Sequence, residues 1–241
     1  MKATRLLAGL CTLITSLPLL AGETLYNGII LPDAWPPSRC VEELRRGDVM
    51  DVPYLKAPPA VIPIDVGRQL FVDDFLIEQT TMKRVFHKAQ DWEGNPMLRP
   101  DKRWEKLYEN PKTAIAFSDD ASGGTLTTRP LKFSGKHLFV NVAAASGELR
   151  AELLDADGKV IAPFSAENCE PITTDSTNAA VKWKGAGDLA ALAGKPARVR
   201  FHTKNAALYA FWISPDANGA SHGYVAAGGP GFTTNHDTTG K

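Results

Sequence analysis

Carboxylates recur in close pairs along this chain: Asp73 and Asp74, Asp119 and Asp120, Asp155 and Asp157, Glu167 and Glu170. Two carboxyl groups can cleave a glycosidic bond when they flank it about 5 to 9.5 Å apart, one as acid and one as nucleophile or base. None of these pairs has that character. Adjacent side chains on a strand point to opposite faces, so Asp73 and Asp74 in RQLFVDDFLIEQ cannot flank one substrate. The stretch reads as two short strands joined by a turn with solvated carboxylates. Asp119 and Asp120 in SDDASGG are turn residues beside glycine. Asp155 and Asp157 in LLDADGKVI sit in a hairpin turn. Their D-x-D-G spacing raises calcium, but the other oxygen ligands of such a loop are missing nearby. Glu167 and Glu170 flank Cys169 with no base or nucleophile role. No Cys is patterned with a His and no glycine loop opens a helix. His87 in MKRVFHKA reads as an exposed strand residue. The sequence therefore assigns no catalytic residue, no metal site and no cofactor.

Aromatic side chains offer a different chemistry. An exposed ring can stack on the apolar face of a pyranose while nearby polar groups meet the hydroxyls. Trp183 in VKWKG, with Lys182 and Lys184 beside it, and Tyr209 and Trp212 in ALYAFWIS are the candidates for such a platform. Alternation along LYAFWI sets Leu208, Ala210 and Trp212 on one face and Tyr209, Phe211 and Ile213 on the other. Both faces are apolar, which describes a central strand buried on both sides, so the competing reading places these rings in the core. Trp92 and Trp104 fall in loop-like sequence.

The elements that must position these side chains follow from texture. The first 21 residues carry Lys2 and Arg5, then the apolar run LLAGLCTLITSLPLLA ending at Ala21. This is the pattern of a secretory signal peptide cleaved after Ala21. The run is short for a membrane span and is interrupted by Pro18. Residues 22–63 are an extended, Pro-rich arm, where LPDAWPPS and KAPPAVIPID resist helix. Residues 64–124 form a strand-and-loop segment. From 125 to 214 come short β-type runs separated by turn signals, among them KHLFVNVAA, ELRAELLD, ARVRFHTK and ALYAFWIS. In ARVRF, Val199 and Phe201 alternate with Arg198, Arg200 and His202, as in a strand with one buried face. DLAALAG reads as a helical turn started by Asp188 and stopped by Gly194. Strands at this spacing give an all-β fold, an antiparallel β-sandwich of jelly-roll or Ig-like form with the Pro-rich arm ahead of it. Residues 215–241 form a Gly-rich tail expected to wander. Twenty-seven basic side chains balance twenty-seven acidic ones, which favours neither nucleic acid nor an anionic membrane as partner. After cleavage two cysteines remain, Cys40 and Cys169. An oxidising compartment permits a bridge between them, and separate thiols are the alternative.

Several of these stretches also carry a resemblance. LYNGIILPDAWPP, IDVGRQLFVDDFLIE, KRVFH and NPMLRPDKRWE resemble the N-terminal region of secreted bacterial proteins related to glycoside hydrolase family 32 and the wider β-fructosidase-like, five-bladed propeller enzymes. GTLTTRPLKFSGKHLFVNV, GELRAELLDADGKVI, DLAALAGKPARVRFHTKNAALYAFW and GYVAAGGPGF resemble the β-sandwich that follows the propeller in that group. The middle departs from the pattern. A propeller blade takes about 40 residues, and only twenty lie between Trp104 and Thr125. No position matches the acids that such enzymes project into the propeller funnel. The resemblance thus implies a secreted or periplasmic, non-catalytic β-sandwich protein, with a polysaccharide or oligosaccharide as its partner. A glycoside hydrolase with an unrecognised site and a structural remnant without ligand are the alternatives.

Overall fold

The computed structural model describes residues 22–40, 42, 46, 52–88, 113–118, 122–225 and 234–238. The leader at 1–21, the Asp119–Asp120 pair, Trp92 and Trp104 lie outside the described residues. A short helix, α1 (Pro53–Lys56), begins at a proline, where the missing N–H has no helical partner to lose. The strands follow in order: β1 (Ile62–Pro63), β2 (Gln69–Leu70), β3 (Ile77–Thr80), β4 (Lys83–Lys88), β5 (Thr113–Ser118), β6 (Gly124–Thr128), β7 (Leu131–Lys132), β8 (His137–Ala143), β9 (Glu148–Leu154), β10 (Ser176–Ala180), β11 (Arg198–Lys204) and β12 (Ala207–Ser214).

These strands make an all-β, antiparallel sandwich. One sheet has the order β10-β8-β12-β5-β4, with β2 also on β12; the other has the order β3-β6-β11-β9. A small parallel pair, β1 with β7, stands apart. The connections cross between layers. The β3–β4 segment lies antiparallel to β5–β6 across both sheets, and β8–β9 lies antiparallel to β12–β11 in the same way. Two bent ribbons therefore wrap one core, which is the jelly-roll form of the sandwich.

Alternation decides which side chains fill that core. On β11, Val199, Phe201 and Thr203 are buried, while Arg198, Arg200 and His202 face outward. The outward row is paired: Arg200 meets Glu152 at 3.0 Å, His202 Nε2 lies 3.2 Å from the same carboxylate, and Arg198 meets Glu78. On β12 simple alternation fails. A bulge between Leu208 and Ala210 gives one extra residue, Tyr209, and advances the phase of the strand. Leu208, Phe211 and Ile213 thus share the core, while Trp212 turns to the opposite face. Both faces of the strand are buried, as its two apolar sets require.

The segment after the arm belongs to the sandwich: β2 to β5 complete both sheets. Phe71, Phe75 and Ile77 enter the core, but Leu70 remains 56% exposed. The C-terminal residues do not wander where they are described. Residues 222–225 run antiparallel to 235–237, joined by His222 N–H to Asp237 O at 3.0 Å, Asp237 N–H to Gly223 O at 2.8 Å and Val225 N–H to Asn235 O at 2.8 Å. Glycine-rich composition lowers the propensity for regular structure, yet these backbone bonds with two chain segments in register suffice. The helical turn in DLAALAG is a single turn of 3-10 helix, Ala190–Leu192, with Asp188 accepting the Ala190 N–H at 2.9 Å.

The cysteines are not joined to each other. Cys40 is exposed on the arm and Cys169 is buried. Burial pushes the Cys169 thiol up from its ordinary value, because the thiolate would lose its hydration. Peptide-mapped alkylation at neutral pH is expected to label Cys40 in the folded protein and Cys169 only after unfolding. Equal labelling of both in the native state would contradict this placement.

Candidate functional site

The turns that raised acid–base or metal chemistry are occupied by their own backbone. Asp73 Oδ1 accepts the Phe75 N–H at 2.9 Å, and Asp74 pairs with Arg84. Asp155 Oδ1 accepts N–H groups from Asp157 and Lys159, both at 2.9 Å, closing the hairpin turn. Oxygen lone pairs spent in this way serve the turn.

The three aromatic candidates do not form a platform. Trp212 is 1% exposed; its indole lies stacked 5.8 Å from Phe139, and Nε1–H donates to Gly219 O at 2.9 Å. Trp183 is 6% exposed, edge-on to Phe164, with Nε1–H donating to Ala151 O at 2.9 Å. Both rings are buried because each found apolar neighbours and an acceptor for its N–H. Tyr209, carried out on the bulge, is half-buried with its ring 5.8 Å from His87. A cavity of about 420 Å³ does reach Trp183, between Lys136, His137, Glu170 and Asp188. Its rings, Phe139, Phe164 and Trp183, are all nearly fully buried, so it has no open ring face for stacking.

Two open rings lie elsewhere, on a cleft of about 600 Å³. Three chain segments build it. The first is the start of the arm. Gly28 N–H bonds to Leu25 O at 2.9 Å, closing a tight turn with Tyr26 and Asn27 at its tip. Gly28 takes a positive φ of 79° there, a conformation that glycine alone adopts without strain. Tyr26 is consequently displayed and 66% exposed, while Ile29 just behind it is buried. The second segment is 66–70, with Val66 and Leu70 on the cleft. The third is the C-terminal pair of extended segments, which carries Tyr224 at 68% exposure with its ring edge toward His236.

Between the tyrosines lies a polar pair. Arg68 Nη2 bonds to Asp237 Oδ2 at 3.3 Å, and the Asp237 side chain is 5% exposed. Ser221 Oγ–H donates to the same oxygen at 2.7 Å. Arg68 also lies 4.4 Å over the Trp212 ring and donates from Nη1 to Thr177 O at 3.3 Å. The buried tryptophan thus supports the cleft from beneath. Sequence reading missed Tyr26 and Tyr224. The available signal was Tyr26 directly before the Asn27–Gly28 turn pair, which marks a tip where a ring has nothing to pack on.

The cleft's seam depends on a missing side chain. A Cβ on Gly223 would stand 2.6 Å from the Gly67 Cα, and backbone cannot yield as a side chain can. Gly223→Ala is expected to force the C-terminal segment off residues 66–68, costing about 1–3 kcal/mol. Thermal unfolding followed by circular dichroism checks this; an unchanged Tm would show that the two segments are not in contact.

No family model matches the chain, and no curated protein does. Two solved structures align with part of the chain. A family 6 carbohydrate-binding module aligns over 64% of this chain and 97% of its own, with 10% identity and a TM-score of 0.36. CsCBM6-3 from Clostridium stercorarium, solved in complex with cellobiose, aligns over 63% of this chain and 95% of its own, with 11% identity and a TM-score of 0.32. Likeness this distant carries no inference about ligand or site. Among the described residues no helix is long and apolar enough to cross a membrane.

Proposed function

We propose that this chain is a secreted, non-catalytic carbohydrate-binding protein whose saccharide seat is the cleft between Tyr26 and Tyr224. The observation that carries the reading is the pair of widely exposed tyrosine rings on the walls of one cleft, with the Arg68–Asp237 pair between them. Exposed rings suit the apolar faces of sugar rings, and a polar couple between them suits the hydroxyls. Asp237 is the one carboxylate among the described residues that line the cleft. Glycoside hydrolysis ordinarily requires two, so the arrangement favours binding over cleavage. The pattern of residues 1–21 supports export.

Descent from a propeller hydrolase that lost its propeller belongs to the same proposal. β4 and β5 pair to their ends, Lys88 opposite Thr113. Lys88 and Thr113 thus stand side by side although far apart in sequence, which is the geometry a domain insertion needs.

Retention of the protein on insoluble and immobilised polysaccharides tests the function. Saturable retention by at least one glycan is expected. No retention by any neutral or acidic glycan would turn the account toward a structural remnant.

A further inference from the structure

We propose that the cleft selects uncharged glycans, and that Arg68 is the residue that reads them. This rests on the saccharide reading above and adds the class of saccharide. Arg68 and Asp237 are the charged side chains that line the cleft among the described residues. They neutralise each other at 3.3 Å. A uronate or sulfate entering here would meet a guanidinium already paired and a second, buried carboxylate of its own sign. An opposite charge already satisfied in a partly buried site offers little to a further anion.

The same contacts make Arg68 a good reader of hydroxyls. Its guanidinium is held by Asp237 on one side, by Thr177 O on another and by the Trp212 ring at 4.4 Å. Its side chain is nevertheless 34% exposed. A guanidinium carries more N–H donors than these two bonds use. The donors that remain form a planar fork in fixed orientation, so little rotamer freedom is lost when a ligand binds. A donor-only fork complements sugar hydroxyl and ring oxygens. Asp237 and Ser221 act through Arg68 as positioning residues, since the Ser221 hydroxyl holds the carboxylate that holds the guanidinium.

Calorimetric titration of the full chain separates the possibilities. The probes are neutral xylan, hydroxyethyl cellulose and inulin, set against polygalacturonate and dextran sulfate, each at 50 and 500 mM sodium chloride. At least one neutral glycan is expected to bind with an affinity that changes less than twofold between the two salts. The acidic polymers are expected to bind at least tenfold more weakly than that glycan. Arg68→Lys, which keeps the charge and loses the fork, is expected to weaken the neutral glycan about tenfold while Tm stays near that of the parent. Tighter, salt-sensitive binding of an acidic polymer would overturn the selectivity and leave the saccharide reading standing. Undiminished binding by Arg68→Lys would overturn the role of Arg68. Absence of binding to every probe would overturn the saccharide reading itself, and the selectivity with it.

Discussion

Trp212→Ala is expected to remove a large share of the stability of this fold. The indole is almost fully buried on the outer face of the larger sheet, and three sets of contacts converge on it. Phe139 stacks on it, Arg68 lies across it, and its N–H satisfies the Gly219 carbonyl. Truncating a buried tryptophan to alanine costs about 3–5 kcal/mol, from lost apolar burial and the cavity left behind. Domains of this kind are stable by only about 5–15 kcal/mol. A fall in Tm on the order of 10 °C follows for a chain of this size. Trp212→Phe should recover much of the loss, since it keeps the stack on Phe139 and forfeits only the hydrogen bond. Denaturant unfolding of both variants checks the order. An alanine variant as stable as the parent would mean that the C-terminal segment does not cover this face. The alanine variant should also bind glycan poorly, because Arg68 would lose the surface on which it rests. That loss would be indirect, which is why tryptophan substitutions alone cannot map the site.

Tyr26→Ala combined with Tyr224→Ala is expected to weaken saccharide binding about a hundredfold without disturbing the fold. Each ring is about two-thirds exposed, so little folding energy depends on either one. An exposed ring that anchors a ligand is typically worth more than 1 kcal/mol on truncation. Taking about 1.4 kcal/mol for each, a single substitution weakens binding about tenfold. The pair then weakens it about a hundredfold if the two act independently, as they do when they contact different sugar units. Near-identical unfolding curves with lost binding would establish the role. Retained affinity in the double variant would remove the tyrosines from the site.

The sandwich was legible in the sequence because its strands obey local rules. ARVRFHTK alternates, LLDADGKVI closes on a glycine turn with Asp155 holding two N–H groups, and ALYAFWIS is apolar on both faces because it is a central strand. The phase of that last strand was not legible. A bulge is a property of pairing with β8 and cannot be read from one strand alone. Trp183 and Trp212 invited assignment as sugar platforms through residue type. Their burial depends on acceptors contributed by Ala151 and Gly219, the former 32 positions away. The proposed saccharide cleft was the least legible part. Its walls come from Tyr26 near one end of the chain and Tyr224 near the other, and its polar pair joins residues 169 positions apart. The glycine-rich tail gave no periodic signal, although backbone bonds pair its residues 222–225 with 235–237.

Tyrosine nitration with and without bound glycan, mapped by peptide mass, tests the central claim most directly. The glycan should be the one that best retains the protein. Tyr26 and Tyr224 are expected to react readily in the free protein and to be shielded once the saccharide is bound, while half-buried Tyr209 reacts to the same extent in both. Bound glycan that leaves Tyr26 and Tyr224 as reactive as before would contradict the account and place the saccharide elsewhere on the sandwich.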